Sequence, residues 1–358
     1  MPVIYVEPPV VGPARHPHGP THLWKLNDSC HVLPSPGGIR GDRAVSTINA
    51  IVQKRLGCSI AEALARLELK CSVLWIDRIE SAALLDRFPG STIVYDCMDE
   101  QWTFGRLHWK KHLRRLERAL VDRADVTIAA SAGLCRRLSA MTSRVELVPN
   151  GCDFEHFSRA ASRPRDCLDL PRSGAPIIGF TGGITRRALD YDLLQFALTR
   201  LRDCQFLFVG AFDAASKRAI GGRENVTLLG ARDYSDLPAY LSSFDAAIIP
   251  YAVGRQIDYV YPKKLHEYLA AGKPVVATDL PELRPFEGVI RIGRSPDEFV
   301  RLLEASLREN ADPALSRRLV AQRQAVAKKN TWAGRVEQIA ALLDALLRRR
   351  GFPGILET

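Results

Sequence analysis

Residues 261–278 read YPKKLHEYLAAGKPVVAT. The stretch opens on a proline and two lysines, continues as an apolar helical pattern and ends in a run of β-formers. The apolar segment Ala246–Ile249 lies just upstream, so the order is strand, loop 251–261, helix, strand. That is a βαβ unit, with both strands parallel in one sheet. Pro262 suits the first helical position, where its missing N–H would be unpaired anyway, and Gly272 suits the stop. The loop then sits at the carboxyl end of a parallel strand, where open α/β sheets bind ligands. Free N–H groups at the helix start, with Lys263 and Lys264 beside them, suit a pyrophosphate. Counted from Pro262, Glu267 falls near N6, too deep for a capping box, and three residues after Lys264 on the same face. A carboxylate there can accept from a vicinal diol such as a ribose. An exposed Lys–Glu pair on a surface helix, worth about 0.3–0.5 kcal/mol, fits the residues equally.

The same rhythm of short strands and helical patterns runs through the chain, and predicts parallel α/β layers. Strands are expected at 3–6, 31–33, 72–76, 92–95, 126–129 and 145–148, with helices near 45–56, 60–67, 80–87, 106–122 and 132–140. Residues 158–176 carry Pro, Ser, Arg and Ala without period and read as a linker. The rhythm restarts with strands at 177–181, 205–209, 226–228, 246–249, 274–278 and 289–292. The expected division is 1–158 as an N-terminal Rossmann-like domain, 159–176 as linker, 177–330 as a second Rossmann-like domain and 331–350 as a final helix.

The 358 residues suffice for two cores. No apolar run approaches the ~20 residues of a membrane helix, and the N-terminus shows no signal peptide. Eight cysteines at 30, 58, 71, 97, 135, 152, 167 and 204 form no C-x-x-C. Reduced thiols and a cytoplasmic location are expected. The net charge of +10 favours anionic partners, but no nucleic-acid-binding signature accompanies it.

Against this background the segment 261–286, YPKKLHEYLAAGKPVVATDLPELRPF, resembles the donor-binding segment of GT-B glycosyltransferases of the group 1, or family 4, type. VELVPNGCDFEHF (145–157), IIGFTGGITRRALDYDLL (177–194) and NTWAGRVEQI (330–339) resemble, in order, the close of that family's first domain, the opening of its second and its terminal helix. VIYVEPP (3–9) and TIVYDCMDEQ (92–101) are similar to segments of a bacterial branch acting in cell-surface polysaccharide assembly.

The resemblance implies two Rossmann-like domains facing across a cleft, with a nucleotide-sugar donor between them and no cofactor or metal. It implies a retaining transferase acting on a glycan or lipid-linked acceptor, the latter at the inner face of the membrane. Lys264 would meet the pyrophosphate and Glu267 the ribose. Gly182 and Gly183 would let backbone approach the phosphates, with Arg186 or Arg187 adding charge. Lys263, Leu265, Asp258 and Tyr259 would complete the donor side. Asn150 and Gly151 would sit at a hinge. Asp96 and Asp99 would face acceptor or donor sugar, and the catalytic set would be Lys264, Arg186 and Asp99. Two departures stand out. The family's glutamate eight residues before Glu267 is Tyr259 here, with Asp258 one off, and Gly183 replaces an arginine. Members also open with a strand, a glycine loop and a helix ahead of a segment like VIYVEPP, so that front piece is expected to be missing. An epimerase on the same fold, or a non-catalytic nucleotide-binding relative, would share the donor grip.

Other signals weigh less. His108 and His112 stand at i and i+4 without the glutamate of a zinc helix, and read as a solvated face. His16, His18 and His22 lie in a Pro/Gly loop, and SPGGIRGD (35–42) reads first as a turn. Residues 106–123 form a basic amphipathic pattern. A stripe facing the core with a solvated basic back is the first reading, and contact with an anionic membrane the second.

Overall fold

The structure, a computed structural model, describes residues 2–7, 23–35, 46–104, 109–161, 170, 174–185, 188–254, 257 and 259–352. The chain divides into two compact units, Met1–Val148 with Gln338–Thr358, and Pro149–Glu337.

The first unit holds β1 (Val3–Val6), β2 (Trp24–Asn27), β3 (Cys30–Leu33), α1 (Ser46–Arg66), β4 (Val73–Ile76), β5 (Thr92–Cys97), α2 (Lys110–Arg123), β6 (Val126–Ala129), α3 (Ala132–Ser139) and β7 (Val145–Leu147). Strands β4-β5-β6-β7 form one parallel sheet, and β1-β3-β2 a second in which β2 runs antiparallel. The sequence pattern missed β2, whose four residues, WKLN, are too few to establish an alternation. It also split α1 in two around Gly57. The helix runs through, and a Cβ at Gly57 would lie 3.1 Å from the Arg87 guanidinium, so the glycine serves close packing there. Residues Ile79–Leu84 form a short 3₁₀ turn instead of a helix over 80–87.

Helix α2 turns Leu113, Leu120 and Val121 inward and leaves Lys111, Arg114, Arg115 and Arg118 exposed. Its apolar stripe therefore belongs to the unit's own core. Glu117 goes inward with it and takes two hydrogen bonds of 2.8 Å from Arg137 on α3. That pairing answers the cost of burying a lone carboxylate.

The second unit holds α4 (Phe154–Ser158), β8 (Ile177–Thr181), α5 (Tyr191–Arg200), β9 (Gln205–Val209), α6 (Ala214–Ile220), β10 (Val226–Gly230), α7 (Leu237–Ser243), β11 (Ala246–Ile249), α8 (Lys264–Ala270), β12 (Val275–Thr278), β13 (Arg291–Gly293), α9 (Pro296–Arg308) and α10 (Pro313–Lys328). Helix α11 (Trp332–Arg349) follows, and the division between units at 337/338 falls inside it. The part after the division packs Leu343 against Val94, Val126, Ile128 and Val148.

The six strands of the second unit are all parallel, in the order β10-β9-β8-β11-β12-β13. Side chains alternate between two cores. Phe206 and Phe208 enter one, Leu207 and Val209 the other. A strand buried on both faces is what helices on both sides of a parallel sheet require. The chain starts at β8, in the middle, and winds outward both ways, so the order reverses between β8 and β11.

The first unit ends at Val148, ten residues before the expected 158. The segment after it packs within the second unit. Phe157 is fully buried there, Cys152 N–H donates to Asn330 O at 3.0 Å, and Trp332 N–H donates to Cys152 O at 3.0 Å. A Cβ at Gly151 would lie 2.7 Å from the Thr331 backbone, which is why glycine stands there.

Candidate functional site

The reversal between β8 and β11 leaves a crevice at their carboxyl ends, the place where such sheets take ligands. Its floor is made of glycines. β8 ends at Thr181, and Gly182 follows with φ +124°. Gly210, after β9, has φ +149°, and a Cβ on it would lie 2.0 Å from Gly182 O. Gly230, at the end of β10, has φ +76°. Backbone N–H groups step across these ends, from Gly182 to Val209 O and from Gly210 to Gly230 O, each at 2.8 Å. Only glycine takes these angles without strain. Gly183 differs. It is exposed, its φ is not left-handed, and a Cβ on it would meet open space.

Helix α8 supplies the polar groups. It begins at Lys264, with Lys263 as its N-cap residue, two residues later than expected. Leu265 N–H reaches Pro262 O and His266 N–H reaches Lys263 O, so the first turn is 3₁₀-like and Pro262 lies before the helix. Glu267 is therefore near N4, not N6. At the other end Gly272, with φ +72°, stops the helix as read. The helix is tied to the sheet by Tyr268, fully buried, whose hydroxyl accepts from Thr181 N–H at 2.8 Å and from Thr181 Oγ1 at 3.1 Å.

Lys264 is 8% exposed, and its Cε would lie 3.3 Å from a Cβ at Gly182. Its ammonium donates to the Tyr251 hydroxyl and forms no ion pair with any described residue. Glu267 is also 8% exposed. Burial raises its pKa, and Lys263, Lys264 and His156 pull it back in part. No described residue hydrogen-bonds its carboxylate. Its oxygens are nonetheless not among the fully enclosed polar atoms, so the carboxylate stays accessible while most of the side chain is buried.

Beside Glu267 stands an aromatic pair. His156 stacks on Tyr234 with ring centres 4.6 Å apart, and His156 Nε2 lies 2.8 Å from Tyr234 O. Burial and the Glu267 charge push the Tyr234 phenol up to about 12. On the loop entering α8, Asn150 Nδ2 donates to Tyr261 O at 3.0 Å. The Tyr261 hydroxyl meets His266 Nε2 at 2.7 Å. Burial, with the Arg335 charge, pushes His266 down to about 4, so it stays neutral near pH 7.

The second unit thus brings Gly182, Lys264 and Glu267 together. Lys263 is exposed at the helix start and Tyr259 half-buried in the loop before it. Leu265 is fully buried in the hydrophobic core, which leaves only its backbone for a ligand. Arg186, Arg187 and Asp258 lie outside the described residues, as do His108, the loop of His16, His18 and His22, and most of 35–42. Asp99 belongs to the first unit, half-buried just beyond β5. Near it, burial pushes Asp96 up to about 6, against a 3.3 Å hydrogen bond from Trp75 Nε1, and the Asp77 charge adds to the rise. Sequence reading missed Tyr251, Tyr268, Gly210, His156 and Tyr234. Tyr251 lies two residues beyond the end of β11, and that position is its one available signal.

Among the described residues no helix is long and apolar enough to cross a membrane. The family model described as glycosyl transferases group 1 matches residues 175–309. The putative teichuronic acid biosynthesis glycosyltransferase TuaH of Bacillus subtilis (strain 168) is 31% identical over 279 residues, covering 72% of this chain and 68% of that protein. Among solved structures, the sucrose-phosphate synthase of Thermosynechococcus elongatus is similar with a TM-score of 0.73 and 16% identity, covering 95% of this chain and 88% of that one. Anabaena HepE, solved in complex with UDP and glucose, is similar with a TM-score of 0.63 and 15% identity, covering 88% of this chain and 85% of that one.

Proposed function

The chain belongs to the group 1 glycosyl transferases, with the GT-B fold, and from that premise we propose that the crevice beside β8 and β11 holds a nucleoside-diphosphate sugar. The observation that carries this reading is Glu267, a buried carboxylate with no hydrogen-bonding partner among the described residues, one helical turn from an ammonium with no ion pair. A ribose diol supplies two donors to the first. A diphosphate supplies charge to the second. The glycine floor lets phosphate oxygens approach backbone that any Cβ would screen.

The reaction we assign is transfer with retention. The bond between the anomeric carbon and the diphosphate breaks, and the acceptor oxygen forms its bond on the same face. The acceptor proton passes to the leaving diphosphate. Lys264 stabilises the charge that grows on that leaving group, acting where water is scarce and its effect is large. HepE, solved with UDP and glucose, supports a nucleotide-sugar donor. TuaH, named for teichuronic acid biosynthesis, supports a role in cell-surface polysaccharide.

Calorimetric titration with UDP, GDP and dTDP tests the donor reading. One of the three is expected to bind at micromolar level, and failure of all three removes it. The acceptor we propose is a glycan, free or lipid-linked. In the second case the exposed basic face of α2, Lys111, Arg114, Arg115 and Arg118, meets the anionic inner membrane through charge alone. Flotation with vesicles of anionic lipid should then be lost at high salt, since exposed charges are screened. Equal flotation with neutral vesicles would contradict it.

A further inference from the structure

The ammonium of Lys264 is held before any ligand arrives. It donates to the Tyr251 hydroxyl. It lies 4.7 Å from the centre of the Tyr251 ring and 5.1 Å from that of Phe180. The Phe180 distance is within the range of cation–π attraction, while at Tyr251 the ammonium meets the hydroxyl end of the ring. Phe180 is fixed in β8, 1% exposed. Tyr251 is fixed just beyond the end of β11. Its carbonyl accepts from Thr278 Oγ1 at 2.7 Å, and its backbone bridges to Leu189. Phe180 therefore stands on one of the two strands that flank the reversal of strand order, and Tyr251 two residues beyond the other. A lysine side chain has four rotatable bonds, and confining its end costs entropy at the moment it is used. Here that confinement is supplied by the protein's own side chains.

We propose that Tyr251 is a positioning residue for Lys264. Its hydroxyl and ring, with the Phe180 ring opposite, keep the ammonium beside Gly182, where the diphosphate of a donor would lie. On binding, the ammonium keeps the phenol oxygen on one of its three N–H donors and turns the others to phosphate oxygens. The inference rests on the donor reading above and adds a residue to it.

A double-mutant cycle separates this role from a structural one. Affinity is measured calorimetrically for whichever of UDP, GDP and dTDP binds the unaltered chain, in Tyr251→Phe, Lys264→Ala and the pair. Phenylalanine keeps the ring and removes only the hydroxyl. Tyr251→Phe is expected to weaken binding about 5- to 10-fold when Lys264 is present, since the freed ammonium must then be ordered as the nucleotide binds. It should have no effect when Lys264 is alanine, and the thermal midpoint should fall by no more than a few degrees. The same loss in both backgrounds, or no loss in either, overturns the role of Tyr251 and leaves the donor reading intact. If none of the three nucleotides binds the unaltered chain, the donor reading falls and this inference falls with it.

Discussion

Replacing Lys264 by alanine is expected to lower turnover about 10²–10³-fold while the fold stays intact, the usual loss when one donor to a developing oxyanion is removed. Turnover is read as nucleoside diphosphate released from the sugar nucleotide whose diphosphate binds tightest. The structural cost should be small. The ammonium gives the folded state one hydrogen bond and one ring contact, about 1–2 kcal/mol together. In a unit of this size that is a fall of a few degrees in the thermal midpoint. The two readouts therefore diverge. A variant that unfolds at room temperature, or one within tenfold of the parent in turnover, would show that Lys264 holds the fold and not the leaving group.

Glu267→Gln should show the opposite divergence, weaker binding with a firmer fold. The glutamine keeps the shape and drops the charge. Each ribose hydroxyl then donates to a neutral group instead of a carboxylate, and hydrogen bonds to charged groups are worth about 1.5–3 kcal/mol against about 1 for neutral ones. Over two hydroxyls the nucleoside diphosphate should bind roughly 10- to 100-fold more weakly. Stability moves the other way because burial raises the Glu267 pKa in the folded protein above its ordinary 4.5. The folded state then favours the protonated form. Its contribution to stability is full below the unfolded pKa and is lost as pH rises through the folded one. The unliganded parent should therefore lose stability across that window, and Glu267→Gln should flatten the loss and melt higher at neutral pH. Thermal melts from pH 4 to 8, with and without nucleotide, check both halves. A variant that melts lower than the parent throughout would mean the carboxylate has a partner in the fold.

Much of the proposed donor site can be read from the sequence because its signals are local. Pro262, the lysine pair, the apolar helix, Gly272 and the β-formers after it lie within 18 residues, and each constrains the next. Lys264 and Glu267 could be singled out from that order alone. Yet their count from the helix start was off by two, since whether Pro262 begins a helix depends on the 3₁₀-like hydrogen bonds of the first turn. What stayed hidden depends on strands far apart in sequence. That β8 and β11 are neighbours is a fact of the sheet, and it alone puts Phe180 and Tyr251 on either side of one ammonium. Tyr268 read as part of an apolar stripe, and its hydroxyl matters only because Thr181 ends a strand 87 residues earlier. Residues 149–158 read as the close of the first domain, but the pairing of Cys152 with Thr331 places them in the second. Leu265, placed on the donor side by the resemblance, is fully buried in the hydrophobic core.

The glycine ends of β8, β9 and β10 also bear on how such a protein can be altered by selection. Gly182, Gly210 and Gly230 all have angles that a side chain resists, and Gly210 has no room for even one methyl. Almost any codon change at these positions trades away the ground on which the proposed donor would rest before it can try a new preference. Gly183 carries no such restriction. A combinatorial library aimed at a different donor should hold the three codons fixed and spread its diversity over Gly183 and the walls around it. In this crevice the rim can be rewritten while the floor stays as it is.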